Sequence, residues 1–246
     1  MRKNHSPPGD VPHTEDKAKR IRPPREVRGP NDGLRPYAAL THGIGALMAA
    51  AAAGVLIVLS AFAGGAAQIV SYSVYGATLI GLYTASTLYH CIPAKVGGRR
   101  ALRTVDHIMI YMLIAGTYTP LCLGPLQARH GAWGWSVFGV IWGLAVAGSL
   151  VKLFWMNAPR WVSAAAYIGM GWMIIVAVYP VVQALSGRGL MWLALGGVFY
   201  TAGGVLYARK WPGRDRKYFG FHEVFHIFIM LGSVCHYAMM VNILYS

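Results

Sequence analysis

The sequence predicts an all-α membrane protein, a bundle of seven transmembrane helices with its N-terminus in the cytoplasm and its C-terminus outside. Three observations carry that prediction. Of 246 residues, 56% are hydrophobic and only 12% charged, where a soluble domain has roughly 25% charged residues. Seven apolar segments, at about 37–62, 66–90, 105–125, 132–152, 161–182, 190–208 and 219–244, approach the roughly 20 residues that cross a bilayer. Threading the chain through the membrane at these segments leaves twenty Lys and Arg on the inner side and two, Arg129 and Arg188, on the outer side. That is the bias of the positive-inside rule.

Residues 1–35 are polar and proline-rich, with nine Lys/Arg and five acidic residues. They read as a disordered basic cytoplasmic tail that touches anionic lipid headgroups, ahead of a seven-helix domain over 36–246. The tail holds no apolar core, so the first span is expected to serve as the insertion signal. Only AGGAAQ (Ala63–Gln68) separates the first two spans. Fusing them would scramble the charge partition, which argues for two.

The later loops then receive Lys95, Arg99, Arg100 and Arg103, then Lys152 and Arg160, then Arg209, Lys210, Arg214, Arg216 and Lys217, all on the inner side. These cations read as topology signals and lipid contacts. The net charge of +14 therefore predicts membrane lipids as partners and no nucleic acid. The glycine pairs Gly139/Gly143, Gly169/Gly171, Gly196/Gly197 and Gly203/Gly204 read as close helix packing. Cys91, Cys122 and Cys235 are isolated and read as small buried residues, without a disulfide framework.

Ionisable groups at membrane depth are costly and therefore informative. Three acidic residues lie beyond the tail, and Asp215 falls in a loop, which leaves Asp106 and Glu223 at the edges of spans. The topology puts His90 at the inner end of the second span and Asp106 at the inner start of the third. His222, Glu223 and His226 begin the seventh span at the same face. His222 and His226 are i and i+4 and share one helix face, as do Ser86 and His90.

His222, Glu223 and His226 spell H-E-x-x-H, a pattern of zinc metalloproteases. Three imidazoles, His90, His222 and His226, would instead leave a tetrahedral zinc one open position. Asp106 and Ser86 would then orient water or a ligand. Each element also has a plainer reading. The paired histidines sit beside five basic residues and could meet lipid phosphate, and Asp106 at a helix start could complement the helix dipole. Ser86 could serve packing alone, and His90 could meet carbonyls at a helix end. Placement in one layer favours zinc. His236, ten residues beyond His226, lies about 15 Å deeper and is expected to hydrogen-bond across helices or face a cavity. His42 and His107 take no role.

The stretches STLYH (Ser86–His90), VDHIMIYMLIAGTYTP (Val105–Pro120) and HEVFHIFIMLGSVCHY (His222–Tyr237) resemble the bacterial hemolysin III proteins. Those belong to the progestin and adipoQ receptor family, which includes the adiponectin receptors. The resemblance covers about 37–244 and implies a seven-helix bundle with zinc near the cytoplasmic surface of the cell (plasma or inner) membrane. It matches the zinc ligands to His90, His222 and His226, and Asp106 and Ser86 to residues beside the water held there. It gives Glu223 no role, and Glu223 reads as a polar residue at a helix start.

Four functions fit this reading: a zinc hydrolase of lipid amides or esters with Asp106 as base, a non-enzymatic sensor with structural zinc, a pore or cytolysin, and an intramembrane metalloprotease using Glu223. The few polar residues along the spans offer little for a pore. Three histidines already fill the protein's share of a zinc site, which disfavours the protease. The expectation is a membrane-lipid homeostasis protein, with ceramidase-like hydrolysis as its candidate activity.

Overall fold

The computed structural model describes residues 30–63, 65–213 and 219–245. Residues 1–29 of the tail expected over 1–35, and the loop residues Arg214, Asp215, Arg216 and Lys217, lie outside them. The described residues form helices and no strand: α1 (Pro36–Ala63), α2 (Ala66–Cys91) and α3 (Val96–Leu121), a π turn at Cys122–Leu126, α4 (Gln127–Arg129) and α5 (Gly131–Phe154). Then follow α6 (Arg160–Gly171), a 3-10 stretch at Trp172–Ala177, α7 (Val178–Ala184), α8 (Gly187–Arg209) and α9 (Phe221–Leu244). Helices α1 and α2 pack together, α2 on α3, α3 on α5, α6 on α8 and α8 on α9. Contact of α9 with α1 closes the ring.

Six of these helical segments are long and apolar enough to cross a membrane. Their outward side chains, such as Leu47, Phe62 and Phe154, are exposed, as a lipid-facing surface requires. The chain is a multi-pass membrane protein. The seventh expected span, α2, is a 26-residue helix that falls below the apolarity of the other six. The cause is its inward face. Tyr83 donates to Ser233 Oγ (2.8 Å) and Tyr72 to the Met240 carbonyl (3.3 Å), so α2 carries much of the polar interior of the bundle. The short AGGAAQ link does break the helix. Gln68 Oε1 accepts from the Gly65 N–H at 2.6 Å and caps α2 from within.

Several expectations need correction. Helix α3 begins at Val96, so Asp106 sits well inside it and has no first-turn dipole role. Arg99, expected in a loop, is a fully buried residue of α3, and Lys152 is 2% exposed near the end of α5. Cys91 is exposed. A Cβ on Gly139, Gly143, Gly169 or Gly171 would meet nothing within 4 Å among the described residues, so these glycines do not mark tight packing. At Gly196 it would lie 2.3 Å from the His236 ring, so α8 and α9 meet closely there.

The helical path after α6 breaks into the 3-10 stretch at Trp172, and freed backbone groups inside a membrane need partners from the protein. Tyr118 of α3 supplies them. Its hydroxyl donates to the Gly171 carbonyl (2.6 Å) and accepts from the Ile174 N–H (2.9 Å). Tyr118→Phe leaves both groups bare and is expected to cost about 1–3 kcal/mol, read as a lower thermal midpoint in detergent. An unchanged midpoint would show that the break is satisfied elsewhere.

Candidate metal centre

The last turn of α2 presents His90, and the first two turns of α9 present His222 and His226 on one face. One ring nitrogen from each can be chosen so that all three lie within 4.8 Å of one another. Ring centroids stand 4.7 Å apart for His90 and His222, 4.7 Å for His222 and His226, and 5.3 Å for His90 and His226. This group could hold a metal ion.

The outer ring nitrogens decide which atoms face inward. His90 Nδ1 lies 2.9 Å from the Gly33 carbonyl, and His226 Nδ1 lies 3.2 Å from the Ala38 carbonyl. A carbonyl only accepts, so each Nδ1 carries the proton and each Nε2 of the neutral ring keeps a bare lone pair. His222 Nε2 then donates to His90 Nε2 across 3.0 Å, and a cation would take the place of that shared proton. Ligating histidines commonly have this outer bond to a carbonyl. The residues fit a metal.

The carbonyls come from the segment that leads into α1. Arg99 ties it down: Nε and Nη2 donate to the Asp32 carbonyl (2.9 and 2.5 Å), and Nη1 to the Tyr89 and Ile92 carbonyls (2.6 and 2.8 Å). Two of these acceptors lie at the C-terminal end of α2, where helix carbonyls lack partners. Gly33 has φ +86°, and a Cβ there would lie 2.3 Å from the Tyr89 hydroxyl, so glycine alone suits the crossing. The Arg35 N–H donates to the His90 carbonyl at 3.0 Å.

Glu223, read from the sequence as a plain polar residue, ties this segment to α9. Its carboxylate pairs with Arg35 at 3.2 Å and accepts from the Gly220 N–H at 2.9 Å. The signal for it was present in H-E-x-x-H, but its partner lies in the tail, 188 residues away.

Ser86 and Asp106, both buried, line a cavity of about 670 Å³ together with His222 and His226. Asp106 is not among the mutually close donors; its Oδ2 lies 3.4 Å from His107 Nδ1. His42, given no role by the sequence, stacks on His226 with centroids 3.5 Å apart and planes 7° apart. Both its ring nitrogens are buried without a hydrogen-bond partner among the described residues, and the residue lines the same cavity. His236 donates to the Gly232 carbonyl of its own helix (2.9 Å) and stacks on Tyr200, at the cavity wall.

Fold and site together define a multi-pass helical membrane protein with a three-histidine cluster. The chain belongs to the haemolysin-III-related family, whose profile matches residues 36–237. It is 40% identical over 195 residues to the hemolysin-3 homolog of Bacillus subtilis (strain 168), covering 79% of this chain and 87% of that protein. It is 38% identical over 197 residues to hemolysin-3 of Bacillus cereus, covering 79% and 84%. Similarity extends to the monocyte to macrophage differentiation factor of Homo sapiens, 29% identical over 184 residues, covering 70% and 69%. This wider likeness is consistent with the progestin and adipoQ receptor grouping.

Arg99→Gln is expected to loosen the segment that orients His90 and to weaken metal retention by about 10–100-fold, measured by chelator competition. Glu223→Gln, which keeps a carbonyl acceptor for Gly220, is expected to weaken it less. Retention at the parent level in Arg99→Gln would show that the segment does not orient the ligands.

Proposed function

We propose that this chain crosses the cell membrane seven times with its N-terminus inside, holds zinc on His90, His222 and His226, and hydrolyses an acyl bond, amide or ester, in a membrane lipid. One observation carries the activity. A single cavity joins His222, His226, Asp106 and Ser86 to a largely apolar wall that runs to Leu121 and Met239. Such a space suits a lipid chain whose polar end reaches the metal centre.

The membrane arrangement has separate support. Helix α2, with 26 residues, is about 39 Å long, enough to span, and most of its polar side chains, among them Ser71, Tyr72, Thr78 and Tyr83, are buried in the bundle. The Nε2 atoms of His90 and His226, with His222 Nε2 once its proton gives way to the cation, suit zinc, with one position open for chemistry. Zinc, when bound, supplies a Lewis acid for the substrate carbonyl and makes water more acidic. The chain's own groups do the rest. Asp106 takes the proton of the attacking water at its carboxylate, Ser86 Oγ orients that water, and Asp106 returns the proton to the leaving amine or alcohol as the acyl C–N or C–O bond breaks. The apolar wall holds the acyl chain and keeps bulk water out. The basic part of the tail ahead of Pro30 meets anionic headgroups on the cytoplasmic side.

A second reading has its own observation. The histidines and their outer carbonyls join α2, α9 and the entry to α1, so zinc could serve as a clamp in a protein without turnover.

His222→Ala is expected to abolish zinc binding, and zinc retained at full stoichiometry would sink the site. Purified protein given a ceramide-like lipid is expected to release fatty acid, with Asp106→Ala slower by about 10²–10⁴-fold, the usual contribution of a general base. Equal turnover in both would remove Asp106 from the chemistry. Turnover in neither, with zinc retained, would favour the clamp.

A further inference from the structure

Lys152 is a cation in an unexpected place. It lies in the last turn of α5, where a lysine commonly reaches water or its own helix's terminal carbonyls. Instead it is 2% exposed, and its ammonium donates to Ser163 Oγ of α6 at 2.6 Å. An ammonium has three protons to donate, and this is its one hydrogen bond among the described residues. The two ion pairs formed among those residues are Arg35 with Glu223 and His107 with Asp106, so Lys152 has no carboxylate partner there. A buried charge without a counterion is costly inside a membrane protein and marks a binding position.

The surroundings indicate what would bind. Lys152 lines the large cavity with Arg103 of α3 and Arg160, the first residue of α6. Arg103 donates to Asn157 Oδ1 at 3.4 Å, and Arg160 lies over the rings of Tyr207 and Phe221, 5.3 and 5.0 Å from their centroids. Asp106 is the one acidic residue that lines the cavity among the described residues, and it already faces His107. The Arg103 charge bears on Lys152, Arg103 and Arg160 line one smaller pocket together, and Lys152 bonds Ser163, one turn from Arg160, so the three cations group together and define one end of a cavity whose remaining wall is mostly apolar.

We infer that this end of the cavity binds the anionic oxyacid head of a single-chain amphiphile, with the head on Lys152, Arg103 and Arg160 and the chain along the apolar wall. The inference rests on the reading of the cavity as a lipid site and gives that lipid a charge. Phosphate and carboxylate share the required chemistry, negative oxygens that accept several charge-assisted hydrogen bonds. A neutral alcohol lacks it.

The test uses full-length protein in neutral detergent and reads bound ligand by native mass spectrometry. The probes are hexadecyl phosphate, hexadecanol and inorganic phosphate. None has an acyl bond, so a protein that binds hexadecyl phosphate yet hydrolyses no lipid would overturn the hydrolase reading and leave this one standing. Hexadecyl phosphate is expected to bind at least about tenfold more tightly than hexadecanol, the size of one or two charge-assisted hydrogen bonds. Lys152→Met should erase that preference while hexadecanol binding stays, and Lys152→Arg should keep it. Arg160→Gln, at the half-buried rim, should reduce it and gives a second readout if Lys152→Met fails to fold. Equal binding of hexadecyl phosphate and hexadecanol by the parent protein, or a full preference in both neutralised variants, would overturn the proposal. So would displacement of hexadecyl phosphate by an equal concentration of inorganic phosphate, which would show a plain anion site.

Discussion

The Nδ1–H groups of His90 and His226 donate to the carbonyls of Gly33 and Ala38, and the character of the centre follows from those two bonds. They fix the tautomer of both rings, turn each Nε2 inward as a lone pair, and leave His222 to complete the set. The same constraint reaches outward. Gly33 can lie against Tyr89 only as glycine, Arg99 must hold the Asp32 carbonyl, and Glu223 must hold Arg35. The approach to α1 is thus a structural part of the site, although it contributes no ligand.

Much of the bundle follows the same rule, that polar groups away from water take partners from the protein; His42 and the Tyr75 hydroxyl do not among the described residues. Tyr118 satisfies the break after Gly171, and that break, Trp172 and the residues after it, forms part of the cavity wall. The polar residues of α2 face inward for the same reason, and that polarity lowers its apolarity below that of its neighbours. Lys152 meets it only in part, with one hydrogen bond, to Ser163, for three ammonium protons, which is why it points to a ligand.

Much of this was legible in the sequence because one rule linked distant residues. Charge partition alone placed His90, Asp106, His222 and His226 in one layer, and the three histidines do come together. The i, i+4 spacing of His222 and His226 carried the shared face. What was hidden depends on contacts between residues far apart in the chain. Arg99 and Lys152 read as loop cations because composition says nothing of where a long side chain turns. Asp106 read as a helix start because the polar turns Val96–Val105 carry no apolar signal. Glu223 reads as a plain polar residue because its partner, Arg35, belongs to a stretch that reads as disordered tail. His42 had no partner at sequence spacing, since its partner ring, His226, belongs to the last helix.

The central claim is that outer carbonyl bonds turn the Nε2 lone pairs of His90 and His226 inward, beside His222 Nε2, toward a proposed zinc ion. X-ray absorption at the zinc edge, on protein purified with the metal, tests it most directly. The account predicts three imidazole nitrogens at about 2.0–2.1 Å, with one further light atom and no sulfur. A sulfur shell at about 2.3 Å, or fewer than three imidazoles, would contradict it.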